Sequence, residues 1–391
     1  MRAKKAKSFA VNILVSISSI ALTLLALEGG ARLFWREDNR GGYCTEPHPT
    51  FLHRNRPSCE YQLKKTEGSE LVSYTINECG HRDPRPCSEY GKDGKNLVIA
   101  LGDSFTFGAM VQERDTYVRS AETQLKEAGI NITYVNAGVG GWDLHQYREA
   151  LRDVLIYNPK MVTVGLLPND LYADISPNGI EARARMAVSQ DAAAIYDTIY
   201  SEQRPSLERL VKSAMQQSRF LDLLTHLLLR NDAIYASIYK RRSGEDSYLT
   251  KSYSRTWRQK IEHAATILNE MASESKKANA LFAVIVIPQR IQALLAARPE
   301  DFPGLDAGSF SREIAAIGES SGFPVIDFLE SLKEDSRPTS HYYPVDGHLT
   351  PEGQRRLGDF VAEHLAPILE ESFKSIPPSS AHFARLTYRQ T

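Results

Sequence analysis

Leu97-Val-Ile-Ala-Leu101-Gly102-Asp103-Ser104-Phe105 is the stretch that decides the fold of this 391-residue chain. Five apolar residues in a row, closed by a glycine, read as a short strand buried on both faces, as strands of parallel sheets are. The pattern recurs at Ile132-Thr-Tyr-Val135, Met161-Val-Thr-Val-Gly-Leu-Leu167, Leu281-Phe-Ala-Val-Ile-Val-Ile287 and Phe323-Pro-Val-Ile-Asp327. Helical periodicity fills the intervals over Asp115–Glu127, Asp143–Tyr157 and Trp257–Lys277, and again over Pro351–Phe373, which opens on a proline. Strands alternating with helices imply an α/β fold, a parallel sheet of about five strands with helices on both faces.

In such a sheet the ligand site lies beyond the carboxyl ends of the strands. Ser104 follows the first strand, Asn136-Ala-Gly-Val-Gly-Gly141 the second and Asn169-Asp170 the third, so three polar or glycine-rich stretches fall on one rim. A Gly-Asp-Ser alone carries little weight, since it arises by chance in roughly one chain in ten of this length. Its setting carries the argument.

A serine hydroxyl is a weak nucleophile until a neighbouring base takes its proton. His348 is the candidate base and Asp346, two residues before it, the candidate acid that holds the ring and stabilises its charged form. In an extended loop residues i and i+2 face the same way, which lets this pair meet. Attack on an ester carbonyl puts charge on oxygen, and the candidate donors for it are the N–H groups of Ser104 and Gly141 and the Asn169 amide. Each residue has a plainer job open to it: helix cap for Ser104, tight turn for Gly141, Asx-turn for Asn169. Together they spell ester chemistry.

These blocks resemble those of the SGNH/GDSL hydrolase superfamily over roughly residues 96–370. Gly102-Asp-Ser-Phe-Thr-Phe-Gly108 is similar to the first block, Asn136–Gly141 to the second, Asn169-Asp170 to the third, and Asp346-Gly-His348 with Thr350-Pro-Glu-Gly353 to the last. The resemblance implies a flavodoxin-like three-layer α/β/α sandwich with Ser104, Asp346 and His348 catalytic and Ser104, Gly141 and Asn169 forming the oxyanion hole. Two positions depart from the usual pattern. The last block reads D-x-H where the family usually has D-x-x-H, a shorter form that related extracytoplasmic members share, and Leu167 stands where the third block has glycine. Asn77-Glu-Cys-Gly-His-Arg-Asp83 also resembles a stretch of membrane-anchored relatives and has no mechanistic role assigned. The α/β-hydrolase elbow G-x-S-x-G is absent around Ser104, where Thr106 takes the place of the second glycine, and there is no H-E-x-x-H.

The other end of the chain gives an address. Phe9–Leu27 is apolar and uncharged, and Arg2, Lys4, Lys5 and Lys7 precede it. Nineteen helical residues span about 28 Å, close to the hydrocarbon core of a bilayer. The expectation is an uncleaved anchor with a cytoplasmic N-terminus and an extracytoplasmic body, periplasmic in a Gram-negative cell; a cleaved secretory signal is the alternative. All four cysteines, Cys44, Cys59, Cys79 and Cys87, follow this run, as candidates for two disulfides with three pairings open. Their irregular spacing disfavours zinc, and neither a metal nor another cofactor is expected.

The expected organisation is a basic tip and transmembrane anchor (1–40), an irregular cysteine-containing juxtamembrane segment (41–95), a hydrolase domain (96–373) and a tail (374–391). A helical insertion (171–256) follows the third strand. Within it Leu207–Leu229 carries an apolar stripe through Leu210, Val211, Ala214, Phe220, Leu221, Leu224, Leu227 and Leu228. A net charge of −1 argues against nucleic acid as a partner. The expected activity is hydrolysis of O-acyl, short-chain esters on an envelope glycan or lipid. The alternatives are acyl transfer to a polysaccharide within an envelope machinery, supplied by a multispanning partner, and a non-catalytic glycan-binding or assembly protein on the same scaffold.

Overall fold

The computed structural model describes residues 2–68, 70–92, 96–171, 218–242 and 248–374. An N-terminal helix, Arg2–Phe34, opens the chain, and its Val11–Phe34 portion, of mean hydropathy 1.9, is long and apolar enough to cross a membrane. Ten strands follow among the described residues: β1 (Asp38–Arg40), β2 (Thr45–His48), β3 (Leu52–Asn55), β4 (Cys59–Lys64), β5 (Val72–Ile76), β6 (Asn96–Leu101), β7 (Ile132–Asn136), β8 (Met161–Leu166), β9 (Leu281–Val286) and β10 (Val325–Asp327).

The last five form one parallel sheet in the order β10-β9-β8-β6-β7. Counted from β6, that is 2-1-3-4-5, the flavodoxin-like order, whose switch point lies between its first and third strands, here β6 and β8. The five expected strands are all present, the fifth shortened at its start. Alternate residues serve opposite faces. Ile99, Leu101, Val162, Val164 and Val284 pack under the helices Leu144–Leu155, Arg255–Lys277 and Ser309–Ser321. Val98, Ala100, Ala283 and Ile285 pack under the helices Tyr117–Glu127 and Pro351–Lys374. Val98 through Leu101 are fully buried, so the apolar run reflects a strand with two dry faces.

Residues 41–95 correct the expectation of an irregular segment. They hold most of a three-stranded antiparallel sheet, β1-β4-β5, and a hairpin, β2-β3. Strict alternation in Cys59-Glu-Tyr-Gln-Leu-Lys64 and Val72-Ser-Tyr-Thr-Ile76 buries Cys59, Tyr61, Leu63, Val72, Tyr74 and Ile76 as a small separate core. The strands are short and interleaved with Pro, Gly and charged residues, which hid the period. Cys44 pairs with Cys59 and Cys79 with Cys87.

Of the expected stripe, the described residues hold a helix at Arg219–Leu229, capped by Ser218, and a second helix follows at Asp232–Arg242. Leu210, Val211 and Ala214 lie outside the described residues, as does the tail beyond Lys374. Helix Arg219–Leu229 rests on the end of the N-terminal helix. Glu28 accepts hydrogen bonds from Ser218 Oγ at 2.8 Å and Phe220 N at 3.0 Å, and the Trp35 indole donates to Asp222 at 2.7 Å.

Candidate active site

The first loop after β6 turns at once into a one-turn helix, Ser104–Phe107. Asp103 caps it, its carboxylate accepting from Phe105 N at 2.8 Å. Because Asp103 takes the cap, the Ser104 hydroxyl is left for another partner. That partner is His348, whose Nε2 lies 2.7 Å from Ser104 Oγ. On the other side of the ring Nδ1 meets Asp346 Oδ1.

Asp346 and His348 meet by a route the extended-loop argument did not foresee. Gly347 between them has φ +84°, a left-handed conformation, and the chain makes a tight turn: Gly347 N donates to Tyr343 O and Tyr343 N to His348 O. The turn, rather than strand alternation, brings carboxylate and imidazole together. The helix Pro351–Lys374 follows, and its fully buried Gln354 donates to Phe105 O at 2.9 Å while accepting from Tyr117 N at 2.8 Å. Gln354 thereby ties the last block to the first.

Burial pushes the His348 imidazole down, but the hydrogen bond and charge of Asp346, with Asp103 behind, outweigh it. The net shift is upward from its ordinary value. Asp346 goes the other way: burial raises it, and the contact with His348 brings it below the usual carboxylate range. Asp103 is raised by burial, against the Phe105 N–H and the His348 charge.

The second block runs alongside. A Cβ on Gly140 would stand 3.8 Å from Ser104 Cβ, so Gly140 borders the serine. The third block is a 3-10 turn, Pro168–Leu171, in which the buried Asp170 carboxylate accepts from Leu167 N at 2.8 Å. Asn169 projects toward the first block: its Nδ2 donates to Asp103 at 3.4 Å and its Oδ1 accepts from Gln289 Nε2 at 3.0 Å. Gln289 accepts in turn from Tyr248 OH at 2.6 Å. An acceptor on one side and a donor on the other set which end of the Asn169 amide faces which way.

Ser104, Asp346 and His348 thus form one hydrogen-bonded line; Asn169 reaches Asp103, the residue before the serine, and Gly141 follows the Gly140 that borders it. The four cysteines sit apart from that line. Glu78 gathers with Cys79 and Cys87 within 4.8 Å, but both sulfurs are in a disulfide and neither is a thiolate that could hold a metal.

Several residues at the site carry no motif. Glu67 accepts from the backbone N–H of Val345 at 2.8 Å and of Asp346 at 2.6 Å, with His226 Nε2 3.4 Å away. Arg82, fully buried, donates to the carbonyls of Phe107, Gly108 and Val111 and stacks over Tyr74. His53 and Asn55 on β3 reach Gly140 O at 2.8 Å and Gly138 O at 3.2 Å. The Asn77–Asp83 stretch could have pointed to Arg82, but nothing in the sequence singles out His53, Glu67 or Gln289.

A hydroxyl, an imidazole and a carboxylate in line, on the rim of a parallel sheet at its topological switch point, define the class: a serine hydrolase acting on esters. The chain belongs to the GDSL-like lipase/acylhydrolase family, whose model matches residues 100–356. No curated protein matches it. Among solved structures it is similar to TesA (15% identity, TM-score 0.40, covering 70% of this chain and 99% of that one). It is also similar to the acetyl xylan esterase AlAXEase (14%, 0.40, 69% and 99%). A third is the psychrotrophic esterase EstA from Pseudoalteromonas sp. (14%, 0.39, 71% and 100%).

Proposed function

We propose that this protein is a membrane-anchored, extracytoplasmic esterase that hydrolyses short-chain O-acyl esters on an envelope glycan or lipid through an acyl-Ser104 intermediate. The observation that carries the reading is the 2.7 Å approach of Ser104 Oγ to His348 Nε2, with Asp346 on the far nitrogen. The site opens from a domain spanning 96–373 with its 171–256 insertion. Segment 41–95 braces that domain, anchor 1–40 tethers it, and 374–391 is the tail.

In the forward step Ser104 Oγ bonds to the ester carbonyl carbon while its proton passes to His348 Nε2. The carbonyl π pair becomes an oxyanion, met by the N–H groups of Ser104 and Gly141 and by the Asn169 amide. Collapse breaks the bond to the leaving oxygen, which takes the proton from His348 and departs as the alcohol. Water, deprotonated by the same imidazole, then attacks the acyl carbon and frees the acid and Ser104. Asp346 holds the ring with Nδ1 protonated and stabilises the imidazolium.

The address follows from the basic N-terminus and the apolar helix, by the excess of Lys and Arg on the cytoplasmic side. A disulfide framework suits an oxidising compartment.

Fluorophosphonate labelling read by intact mass tests the nucleophile: one adduct on the wild type and none on Ser104→Ala is expected. An unlabelled, folded wild type overturns it. Release of free acetate from acetylated glycan, against its appearance on an added glycan acceptor, separates hydrolysis from transfer. Free acetate is the expected product.

A further inference from the structure

We propose that His53 is a positioning residue for the oxyanion hole, holding the Gly140–Gly141 peptide so that the Gly141 N–H faces the substrate's carbonyl oxygen. The inference rests on the hydrolase reading above and extends it to a residue outside the four blocks.

In a trans peptide the C=O of one residue and the N–H of the next point in opposite directions. Whatever fixes the Gly140 carbonyl therefore fixes the direction of the Gly141 N–H. The peptide between these two residues is flanked by glycine on both sides, and Gly141 sits at φ +79°. Without a Cβ at either end, such a unit rotates with little steric penalty. Rotated by half a turn, it would aim a carbonyl oxygen, not a donor, at the developing oxyanion. The loop needs a restraint from outside.

His53 supplies it. Its Nε2 lies 2.8 Å from Gly140 O, and since a carbonyl only accepts, Nε2 carries the hydrogen. Burial pushes this imidazole below its ordinary value, against the Gly140 contact and the charge of Asp143, so the ring is neutral in the range where His348 acts as a base. The clamp is itself clamped. Trp142 Nε1 donates back to His53 O at 2.8 Å, and Trp142 N closes the turn onto Val139 O at 3.2 Å. Asn55, two residues along β3, donates to Gly138 O. Contacts at residues 138, 140 and 142 lay the β3 strand along the glycine loop, and the Cys44–Cys59 disulfide closes the hairpin that carries it.

The test uses the full chain in detergent with p-nitrophenyl acetate as substrate and a methyl trifluoromethyl ketone as inhibitor, whose adduct with a serine places an oxyanion in the same hole. His53→Phe keeps a ring and removes the donor. His53→Gln puts an amide nitrogen the same number of bonds from Cα. For His53→Phe we expect kcat to fall roughly 10²-fold, the scale of one oxyanion donor. KM should hold, ketone inhibition should weaken in step with kcat, and His53→Gln should recover most of both.

A folded His53→Phe with wild-type kcat and ketone affinity overturns the inference. So does a loss of kcat that leaves ketone affinity unchanged. Should His53→Phe not fold, His53→Glu sets an acceptor against the same carbonyl: the same loss is expected, and retained activity overturns the inference. Turnover that Ser104→Ala does not abolish brings down the hydrolase reading and this inference with it. Turnover that needs Ser104 but ignores His53 brings down the inference alone.

Discussion

The rim of the parallel sheet and the β-rich segment 41–95 divide the work of this site unequally. The rim carries every group proposed to touch substrate: Ser104 after β6, Gly141 after β7, Asn169 after β8 and the Asp346/His348 turn. Segment 41–95 carries none of them, yet it holds three of those four loops from behind. Arg82 grips the carbonyls after the nucleophile, His53 and Asn55 grip the glycine loop, and Glu67 grips the backbone of Asp346. Its side chains bond to backbone, and backbone bonds leave no trace in a motif. The chemistry and its precision thus come from different parts of the chain. That separation can be broken experimentally.

The largest effect belongs on the rim. Asp346→Asn keeps the shape of the side chain but lets an amide nitrogen face His348, favouring the wrong tautomer, and kcat should fall roughly 10³–10⁴-fold. The pH dependence carries a sign. His348 acts as a base only when neutral, and its value in the wild type is raised above the ordinary 6.5. Wild-type kcat/KM should therefore fall as pH drops through a midpoint above that value. In Asp346→Asn the groups that raise it are reduced to Asp103, so the residual activity should persist to lower pH. A pH profile of both enzymes checks this, and an acid limb that does not move would mean Asp346 does not set the base.

The next effect lies in the segment and is one of stability. Arg82→Met removes a buried guanidinium that satisfies three carbonyls and stacks on Tyr74 and Phe107. Val111 O would lose its charged donor, while Phe107 O and Gly108 O would keep only long 3.4 Å contacts from Asn136 Nδ2 and Val111 N. That loss should cost on the order of 3 kcal/mol, read as a lowered unfolding midpoint. Arg82→Lys should recover little of it, because one ammonium cannot reach carbonyls that a planar fork spans. Smaller again is Glu67→Gln. The amide keeps one acceptor oxygen but sets N–H against one of the two backbone donors of Val345 and Asp346. A sub-ångström displacement of the acid turn should lower kcat about tenfold with KM unchanged.

Legibility in the sequence followed the same division. The five parallel strands could be read because each is a short, mostly apolar run, which needs two dry faces and little else. Ser104, Asp346 and His348, which the structure joins in one hydrogen-bonded line, were legible as candidates because a hydroxyl follows the first apolar run and an Asp-x-His pair stands just before the last helix. Two things were hidden. The Asp346/His348 contact depends on Gly347 at positive φ, a property of backbone rather than of spacing. Segment 41–95 builds its sheets from strands of four to six residues. Only β4 and β5 alternate clearly, and the third strand of their sheet, β1, pairs with β4 from before residue 41. His53, Glu67 and Gln289 have ordinary neighbours and act by where the fold delivers them, so no local pattern could have named them.

The two disulfides give the finest test, because they lie in the same segment and differ in what they enclose. Cys44–Cys59 spans 15 residues that include β2, β3, His53 and Asn55. Cys79–Cys87 spans 8 residues, abuts the Tyr157 hydroxyl and meets the glycine loop at one remove, through Gly80, whose carbonyl accepts from Asn55. Replacing either pair with serines should lower stability, the longer loop by about 3 kcal/mol from chain entropy alone. Turnover should separate them. The Cys44→Ser/Cys59→Ser variant loosens the hairpin that restrains the Gly140–Gly141 peptide and should lose kcat a few-fold at unchanged KM, assayed well below its unfolding midpoint. The Cys79→Ser/Cys87→Ser variant should keep kcat. Equal losses from the two would make segment 41–95 a general brace, and a loss confined to the first would locate its effect in the strand that touches Gly138 and Gly140.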